Sequence, residues 1–155
     1  MFLTRVVGAL DKFKVPYAIV GGFAVALHGA IRGTFDVDLI VQISKANFVA
    51  TEKALTSIGL ASRLPVTAEQ VFEFREEYIR NRNLIAWSFA NPQKPSEIVD
   101  VIITTDLGKL KTVGKKAFGT TIRILDIPGL IKMKTASGRP QDLEDIVALT
   151  QILNR

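Results

Sequence analysis

Asp36-Val37-Asp38 is the part of this sequence best suited to chemistry. It opens the apolar run Asp36 to Gln42, and on an extended chain residues two apart point to the same face. Two carboxylates held together on an apolar scaffold repel each other unless a cation lies between them. A divalent metal carrying a nucleotide meets that need. Upstream, Val20-Gly21-Gly22 ends a short apolar stretch. Adjacent glycines suit a strand-to-helix turn where the backbone approaches a phosphate with no side chain in the way. The two pieces together read as a nucleotide–metal site.

A third carboxylate, Asp100, lies in the middle of Glu97-Ile98-Val99-Asp100-Val101-Ile102-Ile103 and shares a strand face with Ile98 and Ile102. An ionised group in that setting must shift its pKa, meet a cation or reach a solvent-lined edge. An ion pair with one of the chain's lysines or arginines is the structural alternative. The tail IKMKTASGRPQDLEDIVAL carries Lys134, Arg139, Asp142 and Asp145. Lysine as a point charge and arginine as a bidentate donor both suit a triphosphate. The tail also has a purely structural reading. Pro140 suits a first helical turn, Asp142 complements the helix dipole, and Arg139 to Asp142 has ion-pair spacing.

This arrangement resembles the signature of the polymerase-β-type nucleotidyltransferase superfamily: a hydrophobic residue, Gly-Gly or Gly-Ser, then a strand presenting Asp-x-Asp. Val20, Gly21, Gly22, Asp36 and Asp38 fill those positions. Arg32-Gly33-Thr34 and the tail are similar to motifs of the small branch that includes AbiEii-like toxins and the lincosamide- and aminoglycoside-modifying enzymes. The tail matches at Lys134, Arg139, Asp142 and Asp145, with Lys132 as the other candidate for the lysine. The resemblance implies that Asp36, Asp38 and Asp100 hold Mg2+, with Mn2+ as the alternative. It further implies that Asp100 would deprotonate or position an attacking hydroxyl. By the same resemblance, Gly21, Gly22, Arg32, Thr34, Lys134, Arg139 and Asp142 are expected to contact the nucleotide.

The implied activity is transfer of a nucleoside monophosphate from a nucleoside triphosphate to a hydroxyl. The acceptor is tRNA or another macromolecule, as in toxin–antitoxin relatives, or a small molecule such as an antibiotic. A non-catalytic nucleotide-binding module of the same fold is the other reading. Many relatives carry an extra helical domain that grips the acceptor, for which 155 residues leave little room. That motivates a protein partner or a second copy completing the site.

The elements that must position these residues follow from periodicity. Leu3, Val6, Val7, Leu10 and Phe13 mark a helix ended by Val15-Pro16, and Tyr17 to Val20 a strand. A helix from Gly21 to about Gly29 precedes the strand Asp36 to Gln42. That strand is apolar on both faces apart from its acids, and so belongs at the centre of a sheet covered on both sides. Ser44 caps a helix to Ile58, Gly59 stops it, and Thr67 caps another to about Arg80. Leu84 to Phe89 and Glu97 to Thr104 read as strands joined through Asn91 to Ser96. A short helix from Asp106, a strand Phe118 to Leu125, and helices Ile127 to Lys134 and Pro140 to Leu153 complete the chain. The expected fold is α/β or α+β, a nucleotidyltransferase-type mixed sheet flanked by helices in a single domain spanning 1–155.

Bulk properties narrow the partners. The hydrophobic fraction is 48% and the charged fraction 23%, as in an ordinary soluble globule, and the net charge of +5 favours anionic partners. No apolar run is long enough to cross a bilayer, and cysteine is absent, so the expected location is the cytoplasm with no membrane partner. His28 is the sole histidine, which excludes a multi-histidine metal site and makes it a helix-face or core residue. Lys109, Lys111, Lys115 and Lys116 form a loose basic patch without interleaved aromatics.

Overall fold

The computed structural model describes all 155 residues. The first helix, α1 (Phe2–Lys12), buries Leu3, Val6, Val7 and Leu10 along one stripe. The fully buried strand β1 (Tyr17–Val20) leads directly into α2 (Gly21–Leu27), and β2 (Val37–Val41) follows. Ser44 caps α3 (Lys45–Ser57) by accepting from the Asn47 backbone at 3.0 Å. Next come β3 (Ala61–Ser62), α4 (Ala68–Glu73), α5 (Arg75–Arg82), β4 (Ala86–Asn91) and β5 (Lys94–Ile102). The hairpin β6 (Thr112–Ala117) and β7 (Thr120–Leu125) precedes α6 (Ile127–Ser137) and α7 (Pro140–Leu153).

The seven strands form one sheet in the order β3-β4-β5-β2-β1-β7-β6. The β1–β7 and β2–β5 pairs are parallel and the other pairs antiparallel, which gives the mixed sheet expected from the sequence. The Asp36–Gln42 run supplies the central strand. Leu39, Val101 and Trp87 lie side by side on one face, where the Trp87 ring meets Phe48 of α3 at 5.9 Å and Phe48 meets Phe72 of α4 edge-on at 6.1 Å. Side chains alternate along strands, so their neighbours Asp38, Asp100 and Ser88 point to the opposite face.

Several local features differ from the sequence-based expectation: β5 already begins at Lys94 within the expected connection, α6 continues past Lys134 to Ser137, and three others change the layout. The helix beginning at the Thr67 capping box breaks at Phe74. Its first half buries Ala68 and Val71, whereas α5 buries nothing and is tethered by Arg75 Nε donating to the Ile103 carbonyl at 2.6 Å. No helix starts at Asp106. Its carboxylate accepts from the backbones of Ile43 and Gly108, both at 3.0 Å, which stabilises a turn instead. The segment read as a basic patch forms β6, an edge strand whose hairpin turns through Phe118 and Gly119, both in the left-handed region. Its Gly114-Lys115-Lys116 centre lacks hydrophobic alternation, because lysines on an edge strand discourage pairing with another chain. No helix is long and apolar enough to cross a membrane.

Candidate active site

Backbone register places four residues in one row across β1, β2, β5 and β4. Val20 is opposite Asp38, Asp38 opposite Asp100, and Asp100 opposite Ser88. Cross-strand partners share a face at about 4.5–5.5 Å between Cβ atoms, so two carboxylates and a hydroxyl stand side by side. Arg63 extends the row beyond β3, its backbone N–H donating to the Ser88 carbonyl at 2.9 Å. Asp36 precedes β2 and is exposed at its mouth.

Gly21 closes the other side of the pair. Its φ is +65°, and a Cβ there would stand 2.1 Å from Asp38 Oδ2, which no side chain could survive. The strand-to-helix turn can therefore pass this close to the carboxylate only as glycine. The Val20 N-cap offers no side chain to α2, whose first N–H groups lack intrahelical partners. Gly22 is also closely approached. A Cβ there would meet Thr34 Cβ at 2.8 Å, so Thr34 lies against the start of α2.

Burial beside other acids shifts the ionisation of Asp38 and Asp36. Burial pushes the Asp38 carboxyl up to about 7, assisted by the charges of Asp100 and Asp36 and a hydrogen bond with Asp100, and opposed by Lys134. Burial and Asp100 also raise Asp36, while the Arg63 guanidinium pulls it down. No three acidic or histidine side chains are arranged to hold a metal ion unaided. Such a site still fits Mg2+, which is commonly held by one or two carboxylates while substrate phosphates and water complete its octahedron.

The row opens into a cleft of about 770 Å3, roofed by α6 and the start of α7. Gly21, Asp36, Asp38, Asp100, Lys134, Arg139 and Asp142 all line it, while Ile85, Ile102, Leu130 and Met133 supply apolar walls. Lys134 is buried, with Nζ 2.8 Å from Asp145 and 3.4 Å from Asp142. Lys132 is exposed and does not reach the cleft. Asp142 Oδ2 accepts from the Arg139 backbone at 3.1 Å and from Arg139 Nε at 3.0 Å, closing the N-terminus of α7. Burial would raise the Asp142 carboxyl, but hydrogen bonds from Arg139 and Ser137 and the guanidinium charge bring it down to about 2. The Arg139 side chain stays 75% exposed, and its hydrogen bond to Asp142 and the charges of Asp142, Asp38 and Asp145 hold its guanidinium in the charged form.

Arg32 and Thr34 line no part of this cleft. Arg32 Nε donates to Asp145 at 3.1 Å, which makes it part of a chain of charges running from Arg32 through Asp145 and Lys134 to Asp142 and Arg139. Asp145 is thus a buried carboxylate bordered by two cations, Arg32 and Lys134. His28 Nε2 meets the Leu125 carbonyl at 2.8 Å, and burial lowers its basicity, so it ties α2 to β7. The residues that the sequence did not reveal are Ser88 and Arg63. Neither lies in a recognisable motif, and only the pairing of β3, β4 and β5 brings them to the acids. A second concavity of about 600 Å3, between α3 and β3, has Glu52 as its sole acid and lies apart from this cluster.

No protein-family model and no curated protein sequence matches the chain. Solved structures do. The solution structure of the antibiotic-resistance factor ANT(2'')-Ia superposes with a TM-score of 0.67 at 13% identity, covering 98% of this chain and 82% of that one. The lincosamide antibiotic adenylyltransferase LnuA, solved with lincomycin, gives 0.62 at 14% identity over 97% of this chain and 96% of that one. A protein from Thermotoga maritima described as a nucleotidyltransferase gives 0.61 at 15% identity over 98% and 90%. Similarity at this level of identity concerns backbone architecture, and it is nearly full length on both sides. The chain has the polymerase-β-type nucleotidyltransferase fold.

Proposed function

We propose that this protein is a metal-dependent nucleotidyltransferase that moves a nucleoside monophosphate from a nucleoside triphosphate to a hydroxyl. The observation that carries this reading is the Asp38–Asp100 pair, aligned across β2 and β5 beside a glycine turn in a cleft that also holds Arg139. Asp36, Asp38 and Asp100 would hold Mg2+, or Mn2+ in its place, and the metal would neutralise charge on the triphosphate and at the α-phosphorus. Arg139, exposed and anchored through Nε, is free to receive phosphate oxygens at the N-terminus of the 14-residue α7. Gly21 and Gly22 bring the uncapped first turn of α2 to the same phosphates. Lys134, held by two carboxylates, acts by setting the field at Asp38 and fixing α6 against α7.

In the reaction, the acceptor oxygen attacks the α-phosphorus and the bond to the bridging oxygen of pyrophosphate breaks. The acceptor proton passes to Asp100, and pyrophosphate leaves with the electron pair of the broken bond. The charge of +5 supports an anionic macromolecular acceptor such as tRNA. A small-molecule hydroxyl is the second reading. It is favoured by the coverage of 96% of the lincosamide enzyme, which leaves little of that chain outside the shared fold.

The test is twofold. Each of the four nucleoside triphosphates with Mg2+ should raise the melting temperature, and Asp38→Asn should abolish the rise. Label from an α-32P nucleotide should then appear on total RNA or on aminoglycoside and lincosamide panels. Binding without transfer to either would leave a nucleotide-binding module or a subunit awaiting a partner or second copy. Neither binding nor transfer would end the enzyme reading.

A further inference from the structure

Ser88 faces Asp100 directly across the β4–β5 pair, and its hydroxyl donates to Asp100 Oδ1. Its neighbours two positions away on the same strand face are Ala86 and Ala90, neither able to hydrogen-bond through its side chain. Small apolar side chains therefore suit this face, and packing alone does not demand a hydroxyl at 88. On the other side, Asp100 meets Asp38, its register partner on β2. The carboxylate is thus held between the Ser88 hydroxyl on one side and the Asp38 carboxyl on the other.

We propose that Ser88 is a positioning residue, whose hydroxyl holds one oxygen of Asp100 toward β4 so that the other is presented to Asp38 and the cleft. The proposal rests on Asp100 being a metal ligand, as argued above. The carboxyl torsion of aspartate is broad and roughly two-fold, so an untethered Asp100 samples orientations that turn both oxygens away from a shared cation. A tethered one loses less freedom when a cation binds. Hydrogen-bond partners of metal-ligating groups act in this way, and removing them weakens metal affinity about 10–100-fold.

The probe is Mn2+ titrated by electron paramagnetic resonance into the full chain with α,β-methylene ATP, and melting temperatures are measured without metal. Ser88→Ala should bind Mn2+ roughly tenfold more weakly at a nearly unchanged metal-free melting temperature, and Ser88→Thr should bind like the wild type. Asp100→Asn should lose at least as much affinity as Ser88→Ala. Wild-type affinity in Ser88→Ala together with weakened Asp100→Asn would overturn the role of Ser88 and leave the parent reading standing. Wild-type affinity in Asp100→Asn would remove Asp100 from the metal site and the proposal with it. Equal weakening in Ser88→Ala and Ser88→Thr would show that the site needs the serine's size rather than its hydroxyl, which also overturns the proposal. Should Ser88→Ala melt early, Ser88→Thr against the isosteric Ser88→Val isolates the hydroxyl in the same assay.

Discussion

Gly21 and Asp38 exclude any side chain from the space between them: a Cβ on Gly21 would lie 2.1 Å from Asp38 Oδ2. Gly21→Ala must therefore push the carboxylate or the turn aside, and it also places alanine at a φ of +65°. The left-handed conformation alone costs on the order of 1 kcal/mol for a non-glycine residue. The displaced carboxylate should remove most Mg2+·nucleotide binding. Calorimetric titration with Mg2+ and ATP against a thermal melt measures both. Nucleotide binding lost with only a few degrees of melting temperature is the expected outcome, and unchanged binding would show that the turn does not serve the nucleotide.

The raised Asp38 carboxyl makes metal-free stability depend on pH in a definite direction. Its ordinary pKa is 3.8 and its folded value about 7. Below about pH 4 the folded and unfolded chains both carry the proton. Between pH 4 and 7 the unfolded chain releases it and the folded one keeps it, so stability falls as pH rises through that window. Allowing for partial exposure, the fall is on the order of 2 kcal/mol. Asp142, lowered to about 2, acts in the opposite sense, and its stabilisation is lost as pH falls from about 4 to 2. Urea unfolding from pH 3 to 8 tests this, with Asp38→Asn expected to flatten the upper limb alone. Because a bound metal requires the ionised carboxylate, Mg2+·ATP affinity should rise from pH 6 to 8 with release of a proton.

Lys134 and Arg139 both reach Asp142, yet their substitutions should separate. Lys134→Ala takes the shared buried ammonium from Asp142 and Asp145, which keep only Arg139 and Arg32, so the loss should approach, without exceeding, the value of about 3–5 kcal/mol for a fully broken buried ion pair. Arg139→Ala removes a mostly exposed guanidinium whose partner keeps Lys134, so stability should drop by no more than about 1 kcal/mol. Nucleotide affinity should fall at least tenfold in Arg139→Ala, as a charge-assisted phosphate contact is lost. Melting curves beside ATP titrations distinguish the two. An Arg139→Ala protein that binds ATP like the wild type would assign the guanidinium to capping α7 alone.

How much of this was legible in the sequence depended on the range of the interaction involved. The Ser44 cap and the Pro140 start of α7 are local signals, and the structure places those boundaries where the sequence does, whereas α6 runs past the expected Lys134 to Ser137 before Gly138 ends it in a left-handed conformation. The central position of β2 was readable because its apolar residues lie on both faces. β6 was not, because an edge strand of glycine and lysine is chosen for what it avoids rather than for what it buries. The pairing of Asp145 with Arg32 spans 113 residues and connects two motifs that, read separately, both suggest phosphate contacts. Ser88 and Arg63 depend on register between strands, which no single segment encodes.

The cleft lining also sets how sharply the base can be selected. Apart from the acids and cations, it is aliphatic: Ile85, Ile102, Leu130 and Met133, with Thr104, Thr105 and Ser137 as the neutral hydrogen-bonding side chains. No aromatic ring lines it, so a base would be held by aliphatic contact rather than by stacking. Sites that discriminate strongly do so by leaving buried polar groups unpaired with the wrong substrate, whereas aliphatic contact alone distinguishes ligands by about 10–200-fold. The dissociation constants of ATP, GTP, CTP and UTP, measured with Mg2+, should therefore fall within about 200-fold of one another. Met133→Ala should weaken all of them together by roughly fivefold, the effect of about 1 kcal/mol of lost apolar contact. A preference beyond 1,000-fold for one base would mean that a polar group reads the base edge, with Thr104, Thr105 and Ser137 as the neutral candidates within this lining.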